Sequence, residues 1–182
     1  LRWSESENLR WKTALPGKGH ASPVIWGERV FVTAAVPWGE PFAPIVDDAP
    51  GAHDSLAVTR SQRFVALALD RRTGAILWQT TLHEAVPHEG GHLTGSYASP
   101  SPATDGEVLI ASFGSDGLFG LDLEGGVLWR RDLGRMQTKH AHGEGTTPLL
   151  AADAVVVVWD HAGDSFVAAF DRLTGEPRWR VA

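Results

Sequence analysis

Along the chain, apolar residues gather in short runs broken by turn residues. Residues 22–32 read as a Ser-Pro pair, a short apolar run, a tight turn and a second apolar run; 101–110 and 147–157 repeat that order. This is the pattern of two short strands joined by a turn. A second unit covers 68–78, Ala-Leu-Asp-Arg-Arg-Thr-Gly-Ala-Ile-Leu-Trp. It has a close copy at 169–179 and a copy one residue shorter at 120–129. No stretch holds a 3.6-residue apolar period capped at both ends. Residues 83–95 are polar and Gly-rich and read as loop.

The two units alternate, so each repeat predicts four short strands, A and B from the first unit and C and D from the second. The tryptophans that end the second unit, Trp78, Trp129 and Trp179, are 51 and 50 residues apart. A four-stranded antiparallel unit recurring at this period predicts an all-β fold, a β-propeller built from four-stranded blades. Three copies in register argue against a sandwich with coincidental turns. The expected layout is an outer strand at 8–15, carrying Trp11, then blade 1 at 21–82 with an insertion near 37–61. Blade 2 follows at 98–133 and blade 3 at 146–182. About three blades plus one outer strand make an incomplete ring, since closure takes typically 4–8 blades. The remaining blades are expected from a longer parent chain or from self-association, and the open sides of blades 1 and 3 are expected to expose apolar surface. In the C–D turn, Gly74, Gly125 and Gly175 supply positive φ, and Asp70, Asp122 and Asp171 begin the turn, where an aspartate can hold backbone N–H groups. Trp78, Trp129 and Trp179 are expected to cover the gaps between blades, each burying ~150–250 Å².

Composition agrees with this picture. Eight tryptophans, 20 glycines and 11 prolines in 182 residues suit many short strands and turns. A formal charge of -6 leaves no basic footprint for nucleic acid. The absence of cysteine excludes a disulfide scaffold, a Cys-based zinc site and a thiol nucleophile. The longest apolar run, 149–159, contains Asp153 and is too short to span a bilayer. The chain begins at Leu1, and is expected to be a processed or excised piece whose targeting segment is not visible.

Candidate chemistry concentrates in loops. On a propeller, D–A and B–C loops share one face, and A–B and C–D turns share the other. All eight histidines map to the first face and none to a strand. His20 precedes blade 1; His83, His88 and His92 precede blade 2; His140 and His142 precede blade 3. His53 lies in the insertion and His161 in the B–C loop of blade 3. Long polar loops on rigid blades are where binding sites sit. His20, His92, His140, His142, His161 and Tyr97 are therefore the candidate ligand or partner face, for a protein or a small molecule. His140 and His142, two apart, point the same way if extended. His20, His92 and His142 sit just before their A strands and form a conceivable site for zinc or copper. The alternative is that these rings are solvated or brace the loops. The insertion holds Asp47, Asp48, His53 and Asp54 and reads as a lid, a partner loop or a plain surface excursion. No P-loop, dinucleotide fingerprint, HExxH or Gly-x-Ser-x-Gly occurs, no catalytic residue is assigned, and no cofactor is predicted from the residues.

The repeated Asp-Arg-x-Thr-Gly-x-x-x-Trp hairpin resembles the pyrroloquinoline-quinone-like (PQQ-like) propeller repeat family, over roughly 8–182. The stretches 95–102, 11–17 and 142–143 look like its secreted or periplasmic bacterial members of no known activity. The resemblance implies export. Some members are quinoprotein dehydrogenases that hold quinone and calcium on the propeller axis; others are scaffolds. The adjacent cysteines and calcium-ligand pattern of the dehydrogenases are not found here. The reading favoured is a non-catalytic binding or scaffold module; the alternative is part of a quinone- or metal-dependent oxidoreductase.

Overall fold

A computed structural model describes residues 2–46 and 51–182. Asp47 and Asp48 lie outside the described residues. Fourteen strands form three four-stranded antiparallel sheets and one two-stranded ribbon. Blade 1 is β1 (Val24–Trp26), β2 (Arg29–Trp38), β4 (Ser61–Asp70) and β5 (Ile76–Ala85). Blade 2 is β7 (Ala103–Thr104), β8 (Leu109–Ser112), β9 (Leu118–Leu121) and β10 (Val127–Arg131). Blade 3 is β11 (Leu149–Ala151), β12 (Ala154–Trp159), β13 (Phe166–Asp171) and β14 (Pro177–Val181). The ribbon joins β3 (Ser55–Leu56) to β6 (Gly91–His92). The chain is an all-β, incomplete propeller.

The core lies between blades, which explains the strand patterns. One cluster packs Phe31, Phe64 and Ala66 of blade 1 against Leu109, Phe119 and Leu121 of blade 2. A second packs Ile110, Leu118 and Trp129 of blade 2 against Val155, Trp159 and Phe166 of blade 3. A strand covered on both faces runs apolar without alternation, as β4 does from Phe64 to Leu69. In blade 3 only one face is covered, so β12 alternates in burial and β14 is exposed throughout.

Each blade grips the next through the C–D turn. Trp11, Trp78 and Trp129 donate their Nε1–H groups to Arg71 O, Leu123 O and Arg172 O, each at 2.9 Å. Their rings lie on Gly74, Gly125 and Gly175, where an added Cβ would fall within 3 Å of the ring. Two residues later, Thr13, Thr80 and Arg131 donate to the carbonyls of those same glycines. The Ser/Thr-Pro pairs perform the matching task at the inner end. Ser22 N donates to Ser101 Oγ at 2.9 Å, and Ser101 N donates to Thr147 Oγ1 at 3.1 Å. The proline that follows each hydroxyl residue stands just before strand A, where its missing N–H costs nothing.

Four expectations change. Residues 8–15 form no strand; Trp11 and Thr13 instead dock on blade 1 by side chains, Trp11 against the cluster of Val30, Val65 and Leu67. His83 lies within β5, opposite Phe64, because β4 is ten residues long and draws strand D out to Ala85. His92 lies in β6. The described part of the insertion is tied down rather than a plain excursion, through β3 and a bridge from Ile45 to Val58.

Candidate functional site

The insertion, the loop entering blade 2 and the loop entering blade 3 meet on the face opposite the C–D turns. Leu93 N donates to Asp54 O at 2.8 Å, His92 N donates to His142 O at 3.2 Å, and Ser55 Oγ donates to His140 O at 3.2 Å. Histidine rings fill the junction. His53 stacks on His140 at 5.3 Å between centroids and meets His142 edge-on at 4.8 Å; His92 meets His142 edge-on at 4.9 Å. His140 Nδ1 lies 2.9 Å from Gly51 O and His142 Nε2 lies 3.0 Å from His53 O. A neutral ring donates one N–H to its carbonyl and keeps a lone pair on the other nitrogen. His140 and His142 are not in an extended segment. His140 and Ala141 take left-handed backbone, φ 63° and 53°, in a 3₁₀ turn at Lys139–Ala141, and this curl brings the two rings to 5.6 Å.

The other sequence-derived positions separate from this cluster. His20 is held through its backbone N–H, which donates to Ala98 O and Ser96 Oγ. Among the described residues, His20, His92 and His142 do not bring three ligand atoms within 4.8 Å of one another. His161 Nδ1 accepts from Gln137 N and Gly163 N, both at 3.1 Å, at the rim of a separate open cavity beside Asp160 and Thr138. Asp160 accepts from Ser165 Oγ and shapes its own turn. Tyr97 and His92 help line a cavity of about 380 Å³, whose apolar walls include Pro37 and Leu56 and whose polar groups include Lys18 and Gln62.

Beside that cavity lies a group that sequence reading did not single out. His88 and Glu89, from the loop entering blade 2, meet Glu144, from the loop entering blade 3. Asp116, in the short B–C turn of blade 2, lines the same small cavity. Glu144 accepts from the N–H and the hydroxyl of Ser115, and Glu89 accepts from the hydroxyl of Thr138. Burial, and after it the charge of Glu144, pushes the Asp116 carboxyl up to about 6. Burial raises Glu144 as well, against the opposite pull of its two bonds from Ser115. The only sequence signal was Glu144 set between Gly143 and Gly145 in a polar loop.

A family model described as outer membrane protein assembly factor BamB matches residues 62–182, about two thirds of the chain. The chain belongs to this PQQ-like repeat family. Among curated proteins no sequence matches it. Among solved structures, this PQQ-like chain is similar to a europium-containing methanol dehydrogenase, with TM-score 0.56 and 18% identity over 96% of this chain and 26% of that one. It is similar to the quinohemoprotein alcohol dehydrogenase ADHIIG from Pseudomonas putida HK5, with TM-score 0.55 and 18% identity over 93% of this chain and 21% of that one. The enzyme of that name from Comamonas testosteroni gives TM-score 0.55 and 16% identity over 91% and 21%. At this identity the likeness shows the propeller fold alone. The chain spans about a quarter of the length of the methanol dehydrogenase.

Proposed function

We propose that the chain is a non-catalytic binding segment of a larger propeller, which takes a protein or small-molecule ligand on the His-rich loop face. The observation that carries this reading is the cavity of about 380 Å³ beside His92 and Tyr97. Its size suits a small ligand or one inserted side chain. Apolar walls from Pro37 and Leu56, with Lys18 and His92 among the lining residues, suit an apolar or aromatic group that carries an acid. Three loops build the surroundings while the inter-blade core holds the blades that bear them, the division of labour expected of a binding surface. The opposite face carries short turns engaged in blade docking. The family's description as an outer membrane assembly factor supports a periplasmic or secreted location and a protein partner.

The test uses the full-length parent protein. Pyrroloquinoline quinone and Ca²⁺ are added, unbound quinone is removed, and the visible spectrum and dye-linked alcohol oxidation are recorded. The expected result is no retained quinone and no turnover. Retained quinone with turnover would overturn the non-catalytic reading in favour of the oxidoreductase.

A further inference from the structure

We propose that His88, Glu89 and Glu144 bind a borderline divalent cation, Zn²⁺ or Mn²⁺, which ties the loop entering blade 2 to the loop entering blade 3. The inference does not rest on the ligand-binding reading above. Each of the three residues brings one ligand atom within 4.8 Å of the other two, and all three are half-buried. Tetrahedral coordination at 2.0–2.2 Å needs ligand atoms roughly 3.3 Å apart, so a contraction of up to about 1.5 Å brings the three donors to that spacing, with water in the fourth position.

Three independent observations point to a cation rather than to a mere acidic patch. First, a cavity of about 30 Å³ lies among these side chains, closed by Phe113 and Asp116. That volume holds one ion or water and no organic ligand. Second, three half-buried carboxylates, Glu89, Asp116 and Glu144, surround it. Among the described residues no lysine or arginine forms an ion pair with any of them; the one pairing is His88 Nε2 to Glu144 Oε1 at 3.9 Å. Carboxylates withdrawn from water favour a neighbouring positive charge, and among the described residues His88 is the cation within ion-pair distance of Glu144. Third, Gly114 is a cradle for the ligand. A Cβ there would sit 1.6 Å from Glu144 Oε2, so a side chain at 114 would push that carboxylate from its present position.

The supports for the donors also fit. Ser115 and Thr138 orient the two glutamates, and His88 Nε2 lies 2.9 Å from Met136 O. Nε2 is also the ring nitrogen that faces Glu144, 3.9 Å from Oε1, so a bound ion would take the Nε2 lone pair of the tautomer protonated at Nδ1 in exchange for the contact with Met136 O. One imidazole with carboxylates favours Zn²⁺ or Mn²⁺; an all-oxygen set would favour Ca²⁺ or Mg²⁺.

The full-length protein is stripped with chelator, and Zn²⁺, Mn²⁺ and Ca²⁺ are titrated by calorimetry with melting followed in parallel. Zn²⁺ or Mn²⁺ is expected to bind at one site and to raise Tm, as any ligand of the native state must. Glu144→Gln and His88→Ala are expected to weaken binding by about a hundredfold, and Gly114→Ala by at least about tenfold, by analogy with outer-shell losses. His142→Ala serves as the control that separates this site from Zn²⁺ held by the neighbouring imidazoles; it is expected to retain the site. Melting of each stripped variant checks folding, and Glu89→Gln repeats the test if Glu144→Gln does not fold. Binding lost in His142→Ala but kept in Glu144→Gln, binding of Ca²⁺ alone, or no binding would each overturn the proposal.

Discussion

At the scale of single residues, the repeat signature is a docking device. Trp129 is 7% exposed, rests on Gly175 and donates to Arg172 O, whereas Trp179 is 47% exposed with no turn beyond it in this chain. Trp129→Ala is expected to cost about 3–5 kcal/mol, the range for a buried aromatic, and Trp179→Ala less than about 1 kcal/mol in the 182-residue chain. Denaturant melts of the two variants check this, and equal losses would contradict it. Asp171 gives a pH test. Its carboxylate accepts from Arg178 and from the N–H groups of Leu173 and Thr174, which together hold it well below the ordinary carboxylate value of 3.8. A lowered carboxylate stabilises the fold above the unfolded value and loses that contribution as pH falls through the folded one. Asp171→Asn is therefore expected to lower Tm at pH 7, with the difference from the parent shrinking progressively as pH falls from about 4 toward the depressed folded value. A difference that persists in acid would mean that the aspartate acts by shape rather than charge.

Among the elements, the hairpins were legible and the ribbon was not. Copies at 68–78, 120–129 and 169–179 fix their own turns through Asp and Gly, so repetition alone locates them. β3 and β6 are two residues each and lie 35 residues apart, and a pairing that short has no period to read. The same limit hid His83, since the ladder that carries it depends on the length of β4. It also hid the group formed by His88, Glu89 and Glu144. Isolated acids in separate loops give no local signal, and only the packing of blade 2 against blade 3 brings them together. The docked insertion has its own test. His142→Ala removes the Nε2 bond to His53 O and the ring contacts with His53 and His92. One bond of this kind contributes about 1 kcal/mol, so amide exchange at 54–58 is expected to quicken by roughly fivefold, with β12 and β13 unchanged. Unaltered exchange at 54–58 would show that β3 is held by backbone pairing alone.

For the whole molecule, an open blade series divides the labour between its two faces. Blade 3 leaves Val158, Trp179 and Val181 exposed, the surface that a following blade would cover. The turn face is engaged in docking, and the loops opposite it bring together His53, His92, His140 and His142, the acid-lined pocket and the larger cavity. We propose that ligands bind on that loop face. Crystals of the full-length protein soaked with small aromatic carboxylic acids test it directly. The predicted result is ligand density in the cavity between Pro37, Leu56 and Tyr97, with the acid group beside Lys18 or His92. Density confined to the turn face or to the blade edges, with this cavity empty, would refute binding on the loop face.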